Sequence, residues 1–124
     1  MGNKGCFMDP IHSNDRKTKR PGGLAPLRAG MTQIVVAHAY GVTLDDLMSP
    51  SRVGNIALAR QVAMYLAHIV FSMSMSEVGR GFGRDRSTAC YAIQRVEAMR
   101  DDPELNRTLG WLEATLRVVV EKRT

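Results

Sequence analysis

Asp85-Arg-Ser-Thr88 sets a carboxylate, a guanidinium and two hydroxyls side by side, immediately before a run with helical periodicity. These groups match the edges of duplex base pairs. A guanidinium forks to the O6 and N7 acceptors of guanine, a carboxylate accepts from the cytosine amine, and a hydroxyl bonds either bases or phosphate. Asp85, Ser87 and Thr88 are also good helix caps. Capping and readout are compatible, so both stay open. The free N–H groups at a helix start add an attraction for phosphate. The longer stretch Met75-Ser-Glu-Val-Gly-Arg-Gly-Phe-Gly-Arg-Asp-Arg-Ser-Thr-Ala-Cys-Tyr-Ala-Ile-Gln-Arg-Val-Glu97 reads as a short helix, a glycine-containing turn and a longer helix. That is a helix-turn-helix with its readers at the start of the second helix. In that helix Ala89, Ala92, Ile93, Val96 and Met99 form the buried stripe, and Arg86, Ser87, Tyr91, Gln94 and Arg95 fall on other faces. The pattern predicts a binder of duplex DNA that does no chemistry of its own.

Residues suited to catalysis do not assemble in the sequence. His12, His38 and His68 share no metal-ligand spacing with Cys or carboxylates. Ser87 has no nearby His to suggest a nucleophile pair, and Asp101 and Asp102 are better explained as a helix cap than as paired acids. Met64, Met73, Met75 and Met99 read as packing residues rather than a cofactor box. No enzyme activity, metal or cofactor is expected.

The elements that must position the motif are helical. Gln33 to Tyr40 gives an apolar face from Ile34, Val36, Ala37 and Tyr40, stopped by Gly41. Thr43 caps a single short turn with Asp45 and Asp46 near its positive end, and Ser49 to Arg52 is a loop. The longest helix starts at or near Asn55, with Ile56, Ala59, Ala63, Leu66, Ala67 and Val70 at three- and four-residue steps. Ala57, Ala59, Ala63 and Ala67 suggest close approach of other helices. Ser76 is the expected cap of the first motif helix, with Glu77 in its first turn. Asp102 caps a last helix with Pro103 at its first position and Leu105, Leu109, Leu112, Leu116 and Val119 as its seam. No segment alternates as a strand does. The fold class predicted is all-α: five to six helices containing a helix-turn-helix.

Residues 1–30 mix Gly, Pro, Lys, Arg, Asn and Asp without periodicity, and Arg16-Lys-Thr-Lys-Arg-Pro-Gly-Gly23 is a basic run ending in breakers. They read as a disordered basic arm, a non-specific tether along DNA or a plain linker, with the folded domain spanning 31–124. Net charge is +5, and residues 52–100 carry seven Arg against three acids. A basic stripe across one helical unit is the footprint of a phosphate-backbone partner. Apolar residues are 44% of the chain but only 6% of residues are aromatic, so the core is aliphatic and Met-rich. No apolar run is long enough to span a bilayer, and the N-terminus lacks a secretory signal. Cys6 and Cys90 are far apart and read as isolated thiols, which points to a reducing cytoplasm.

Several ordered motifs resemble one family. Arg60-Gln-Val-Ala-Met-Tyr-Leu66, Met75-Ser-Glu-Val-Gly79, Phe82-Gly83 and Arg84-Asp-Arg-Ser-Thr88 are similar to the C-terminal DNA-binding domain of the bacterial replication initiators, the DnaA family, over about residues 31–118. The family pattern is Arg-Gln-x-Ala-Met-Tyr-Leu, a Leu-x-Glu-Ile-Gly step, then Phe-Gly-Gly-Arg-Asp-His-Thr-Thr-Val. The resemblance implies that Arg52 enters the minor groove. It implies that Asp85, Arg86, Ser87 and Thr88 read bases, with Tyr91 beside them, and that Arg60, Gln61, Met75, Ser76, Arg84 and Arg95 meet phosphate. The sequence departs from the pattern by one missing glycine between Phe82 and Arg84, and by Arg86 for His, Ser87 for Thr, Ala89 for Val and Tyr91 for His. A mismatched base contact matters at roughly 1–3 kcal/mol, so the preferred site can differ from the initiator's box and the shorter turn can tilt the reading helix. No Gly-x-x-x-x-Gly-Lys-Ser/Thr occurs, hence no phosphate-cradling ATPase loop, and a free-standing relative of the DNA-binding domain is the expectation.

The leading functional expectation is sequence-selective binding of double-stranded DNA in the regulation of chromosomal replication initiation, in the cytoplasm at the nucleoid. Two alternatives stand beside it. One is an interaction module for the full-length replication initiator, in which Trp111 and Leu112 matter more than the tetrad. The other is a transcription regulator acting at unrelated sites. Fold analogy does not choose among them.

Overall fold

The computed structural model describes residues 24–123, which form six helices. These are α1 Leu24–Tyr40, α2 Leu44–Met48, α3 Gly54–Phe71, α4 Met75–Gly81, α5 Arg86–Met99 and α6 Pro103–Arg123. No strand occurs among the described residues, so the all-α prediction holds.

The centre of the fold is α3. Val62, Ala63, Met64, Tyr65, Leu66 and Ala67 are buried one after another, so the middle of the helix is enclosed on every side. The predicted stripe included Ala59, Ala63, Leu66 and Ala67, all fully buried, but missed Val62, Met64 and Tyr65. α5 and α1 pack on α3 most extensively, and α2, α4 and α6 also touch it. Its alanines leave room for those neighbours.

α1 begins at Leu24, inside the stretch expected to be a disordered arm. Pro26 lies within this helix. It falls in the first turn, where its missing N–H has no intrahelical partner to lose. The remainder of the arm, residues 1–23, lies outside the described residues. The buried face of α1 is Ala29, Thr32, Val36 and Ala37, while Ile34, predicted inward, is 58% exposed. Ile34 is five positions from Ala29, which turns it well away from that face. The buried Thr32 hydroxyl donates to the Arg28 carbonyl at 2.9 Å. At the far end Val42 N–H bonds the Ala37 carbonyl and Gly41 N–H that of His38, with Gly41 at φ 68°, a Schellman stop.

The other helix starts show which polar residue the backbone uses. Thr43 and Asp46 form a reciprocal capping box on α2. For α4 the cap is Ser74, not Ser76: the buried Ser74 accepts from Glu77 N–H at 3.0 Å, and Glu77 accepts from Ser74 N–H at 2.9 Å. Chain direction is set just before, where Ser72 takes a left-handed conformation and His68 Nδ1 lies 2.8 Å from the Met73 carbonyl. Asp102 caps α6 through Leu105 N–H at 3.1 Å, with Pro103 at the first position as predicted. Leu109, Leu112 and Leu116 are fully buried.

Arg100 closes the far end of the bundle. Its guanidinium donates to the Tyr65 hydroxyl, Glu113 and Asn106, each at 2.8 Å, tying α5 to α3 and α6. Bonding to the Tyr65 hydroxyl, ahead of Glu113, raises the Arg100 pKa against the opposing effect of burial. Cys90 is buried on α5 at 4% exposure, and Cys6 lies outside the described residues. No described helix is long and apolar enough to cross a membrane.

Candidate nucleic-acid interface

The passage from α4 to α5 depends on two glycines, Gly79 in the last turns of α4 and Gly83 in the turn itself. A Cβ on Gly79 would lie 2.7 Å from the Arg84 carbonyl oxygen and 3.0 Å from that of Asp85. The same residue's carbonyl accepts from Arg84 N–H at 2.7 Å. Gly83 has φ +67°, a left-handed position that glycine takes without penalty. Phe82 between them is 1% exposed and anchors the turn in the core. Although one residue shorter than the family pattern, the turn therefore closes into a complete helix-turn-helix.

Asp85 is the N-cap of α5. Its Oδ1 accepts from Thr88 N–H and from the Ser87 hydroxyl, both at 3.0 Å. The Thr88 N–H bond is the main cause holding the Asp85 carboxyl below its usual pKa. Capping is thus observed, and it fixes Ser87 and Thr88 at the helix start. Ala89, Cys90, Ala92, Ile93 and Val96 turn into the core. Ser87, Thr88, Tyr91 and Arg95 are left exposed, Tyr91 at 60%, with Arg86 and Gln94 half-buried. The exposed row from Ser87 to Arg95 runs about 12 Å at 1.5 Å per residue, a length comparable with the ~12 Å width of the major groove. Farther along the helix, Tyr91, Gln94, Arg95, Ala98 and Met99 line a shallow hollow.

Arg52 is exposed in the loop between α2 and α3. The loop braces itself: Ser51 N–H bonds the Ser49 hydroxyl at 3.3 Å, and Val53 N–H the Ser51 hydroxyl at 3.2 Å. Two arginines brace it from outside. Arg60 Nε donates to the Leu47 carbonyl and its Nη2 to the Ser51 carbonyl, both at 2.9 Å. Arg84 Nη2 donates to the Ser49 carbonyl at 2.6 Å. Burial, then the neighbouring Arg84 charge, lowers the Arg60 pKa. The expectation put both side chains on phosphate, yet these donors point into the protein. Only the unsatisfied carbonyls at the end of α2 could have signalled this in the sequence.

The structure thus brings together the Arg52 loop, Arg84 and the Asp85–Thr88 start of α5. Arg95 is exposed well along α5, outside that cluster. Gln61 sits on α3 beside Arg60, and Met75 and Ser76 open α4, all three half-buried. On α6, Trp111 is 63% exposed, but Leu112, paired with it as a contact residue, is fully buried and cannot meet a partner. Among the described residues no three His, Cys, Asp or Glu side chains gather where they could hold a metal ion.

Residues 31–96 match the family model described as the bacterial dnaA protein helix-turn-helix. The chromosomal replication initiator protein DnaA of Bradyrhizobium sp. strain BTAi1 is 36% identical over 119 residues, covering 94% of this chain and 25% of that protein. That of Bordetella pertussis is 44% identical over 87 residues, covering 68% of this chain and 19% of that protein. The chain therefore spans a quarter or less of the length of these curated relatives. A crystal structure of a DNA replication initiation factor superposes with TM-score 0.70 at 28% identity, over 93% of this chain and 35% of that one. A replication initiator DnaA bound to AMPPCP and single-stranded DNA gives 0.69 at 27% identity, over 92% and 34%. With the family model matching more than half of this chain, the chain belongs to the bacterial DnaA helix-turn-helix family.

Proposed function

We propose that this chain binds double-stranded DNA with sequence selectivity and acts in the control of chromosomal replication initiation, at the nucleoid in the cytoplasm, without ATPase chemistry or a cofactor. The observation that carries the reading is the pairing of the solvent-facing start of α5 with a braced loop that presents Arg52. Asp85, Arg86, Ser87, Thr88 and Tyr91 read the major groove, and Arg52 reaches the adjacent minor groove. Gln61, the main chain at Met75 and Ser76, and Arg95 meet phosphate. The test is duplex affinity of Arg52→Ala and Arg86→Ala. Each is expected to weaken specific binding about fivefold to 150-fold, since a base contact contributes roughly 1–3 kcal/mol. Unchanged affinity in both variants rejects the reading.

A second reading has one observation in its favour. Trp111 and Val118 lie two turns apart on α6 at 63% and 51% exposure, and exposed aromatic anchors suit protein contacts. The full-length initiator is the partner to try. Its capture by the wild-type chain, and loss of capture with Trp111→Ala, would favour this reading. No capture removes it.

A further inference from the structure

We infer that Arg84, with Arg60 as a second strut, is a positioning residue that sets Arg52 in register with the reading helix, and that it acts through Arg52 rather than by meeting phosphate itself. The inference rests on the DNA-binding reading and deepens it.

α2 is a single turn, and its last carbonyls have no intrahelical donor. Arg60, reaching from α3, takes the Leu47 carbonyl and, past the bend, the Ser51 carbonyl, both at 2.9 Å. Arg84, reaching from the turn of the motif, takes the Ser49 carbonyl at 2.6 Å, with the Met48 carbonyl at 3.5 Å from the same nitrogen. The residues that lead into Arg52 are thereby fixed, Ser51 by Arg60 and the stretch from Met48 to Ser49 by Arg84. Two like charges converge on this spot, which is unfavourable unless something holds them. The carbonyl oxygens and the negative end of α2 do so. Arg84 is also the residue immediately before the Asp85 cap, and its backbone is locked to Gly79 at 2.7 Å. One residue therefore touches the loop that carries Arg52 with its side chain and fixes the start of α5 with its main chain. A loop held in place before binding loses less freedom on binding, and the spacing between the two reading points is set by the protein rather than by the DNA.

The test is a double-mutant cycle in the full chain, using a duplex that the wild type enriches from a randomised pool. Positioning predicts that Arg84→Ala weakens binding about tenfold in the wild-type background and about twofold or less in the Arg52→Ala background. The salt slope in the second background should not change. A phosphate contact predicts the opposite, an equal loss in both backgrounds and a slope smaller by about 0.9. That result overturns the inference. In the free protein, the backbone ¹⁵N heteronuclear NOE at Arg52 and Val53 should fall in Arg84→Ala, and an unchanged value also overturns it. If no duplex is enriched, the DNA-binding reading fails and the inference fails with it, while the NOE still judges the strut alone. Arg84→Gln, which uncharges the position without emptying it, repeats both measurements if Arg84→Ala loses helix.

Discussion

Asp85 shows how one side chain does two jobs at once. Its carboxylate caps α5 through Thr88 N–H and steadies the Ser87 hydroxyl, so the groups that the proposed reading assigns to base edges are held by the helix start itself. Its folded pKa lies below the unfolded value. The capping contribution is therefore complete above about pH 4 and is lost as pH falls through the folded pKa. In a titration followed by NMR, the Thr88 amide shift should move with a midpoint below about 3.9; Asp85→Asn, which keeps an acceptor and removes the proton, should abolish that step. Ser74→Ala should cost about 1 kcal/mol in urea unfolding, the usual value of an N-cap. The caps at Thr43 and Asp102 are legible in sequence because capping is local, while for α5 the sequence leaves Asp85 and Ser87 both open and the structure selects Asp85. Ser74 was missed for Ser76, although Ser74 and Glu77 have the spacing of a capping box; two serines so close both look plausible until the chain direction is known. Nothing local shows that Arg84 and Arg60 turn to carbonyls, because their acceptors are set by folding.

At the scale of elements, the helix-turn-helix depends on how closely α4 and α5 pass. Gly79→Ala puts a Cβ 2.7 Å from a backbone oxygen, and an overpacked site of this kind costs about 1–3 kcal/mol. Gly83→Ala has open space around it but keeps a left-handed φ, so its expected cost is about 1–2 kcal/mol. Chemical denaturation checks both, with Gly79→Ala also expected to weaken duplex binding by shifting the start of α5. Arg100→Ala should destabilise by about 1–2 kcal/mol, reduced from the full charged-bond value because the site is partly exposed, and should leave the salt slope of DNA binding unchanged. The motif itself was legible because a breaker-rich turn separates two helical patterns. Ile34 was misplaced because a short helical window allows more than one apolar face, and only packing against α3 and α4 selects between them. The close contact of Ala29 with Gly81, whose Cβ would lie 2.8 Å away, is part of that selection.

Across the whole molecule, a single enclosed helix carries the rest. α3 holds α5 on one side and α1 on another, so the reading helix stands on a rigid base and the Arg52 loop leads directly into that same base. The all-α class and the order of helices were legible from periodicity and caps. The encirclement of α3 was not, because a helix buried on all sides has no polar face to set its register. The net charge of +5 predicts salt-dependent affinity for any duplex, and charge alone does not distinguish a sequence reader from a general DNA binder. The departures at Arg86, Ser87 and Tyr91 bear on that distinction, since under the proposed reading they change the donors offered to the groove. Fluorescence anisotropy of the full chain with two labelled duplexes, one carrying the initiator's box and one scrambled, at two salt concentrations, separates the possibilities. A clear preference for the box that survives the higher salt is the predicted result. Equal binding to both duplexes, falling steeply and in parallel with salt, would contradict sequence-selective recognition of the initiator's sites.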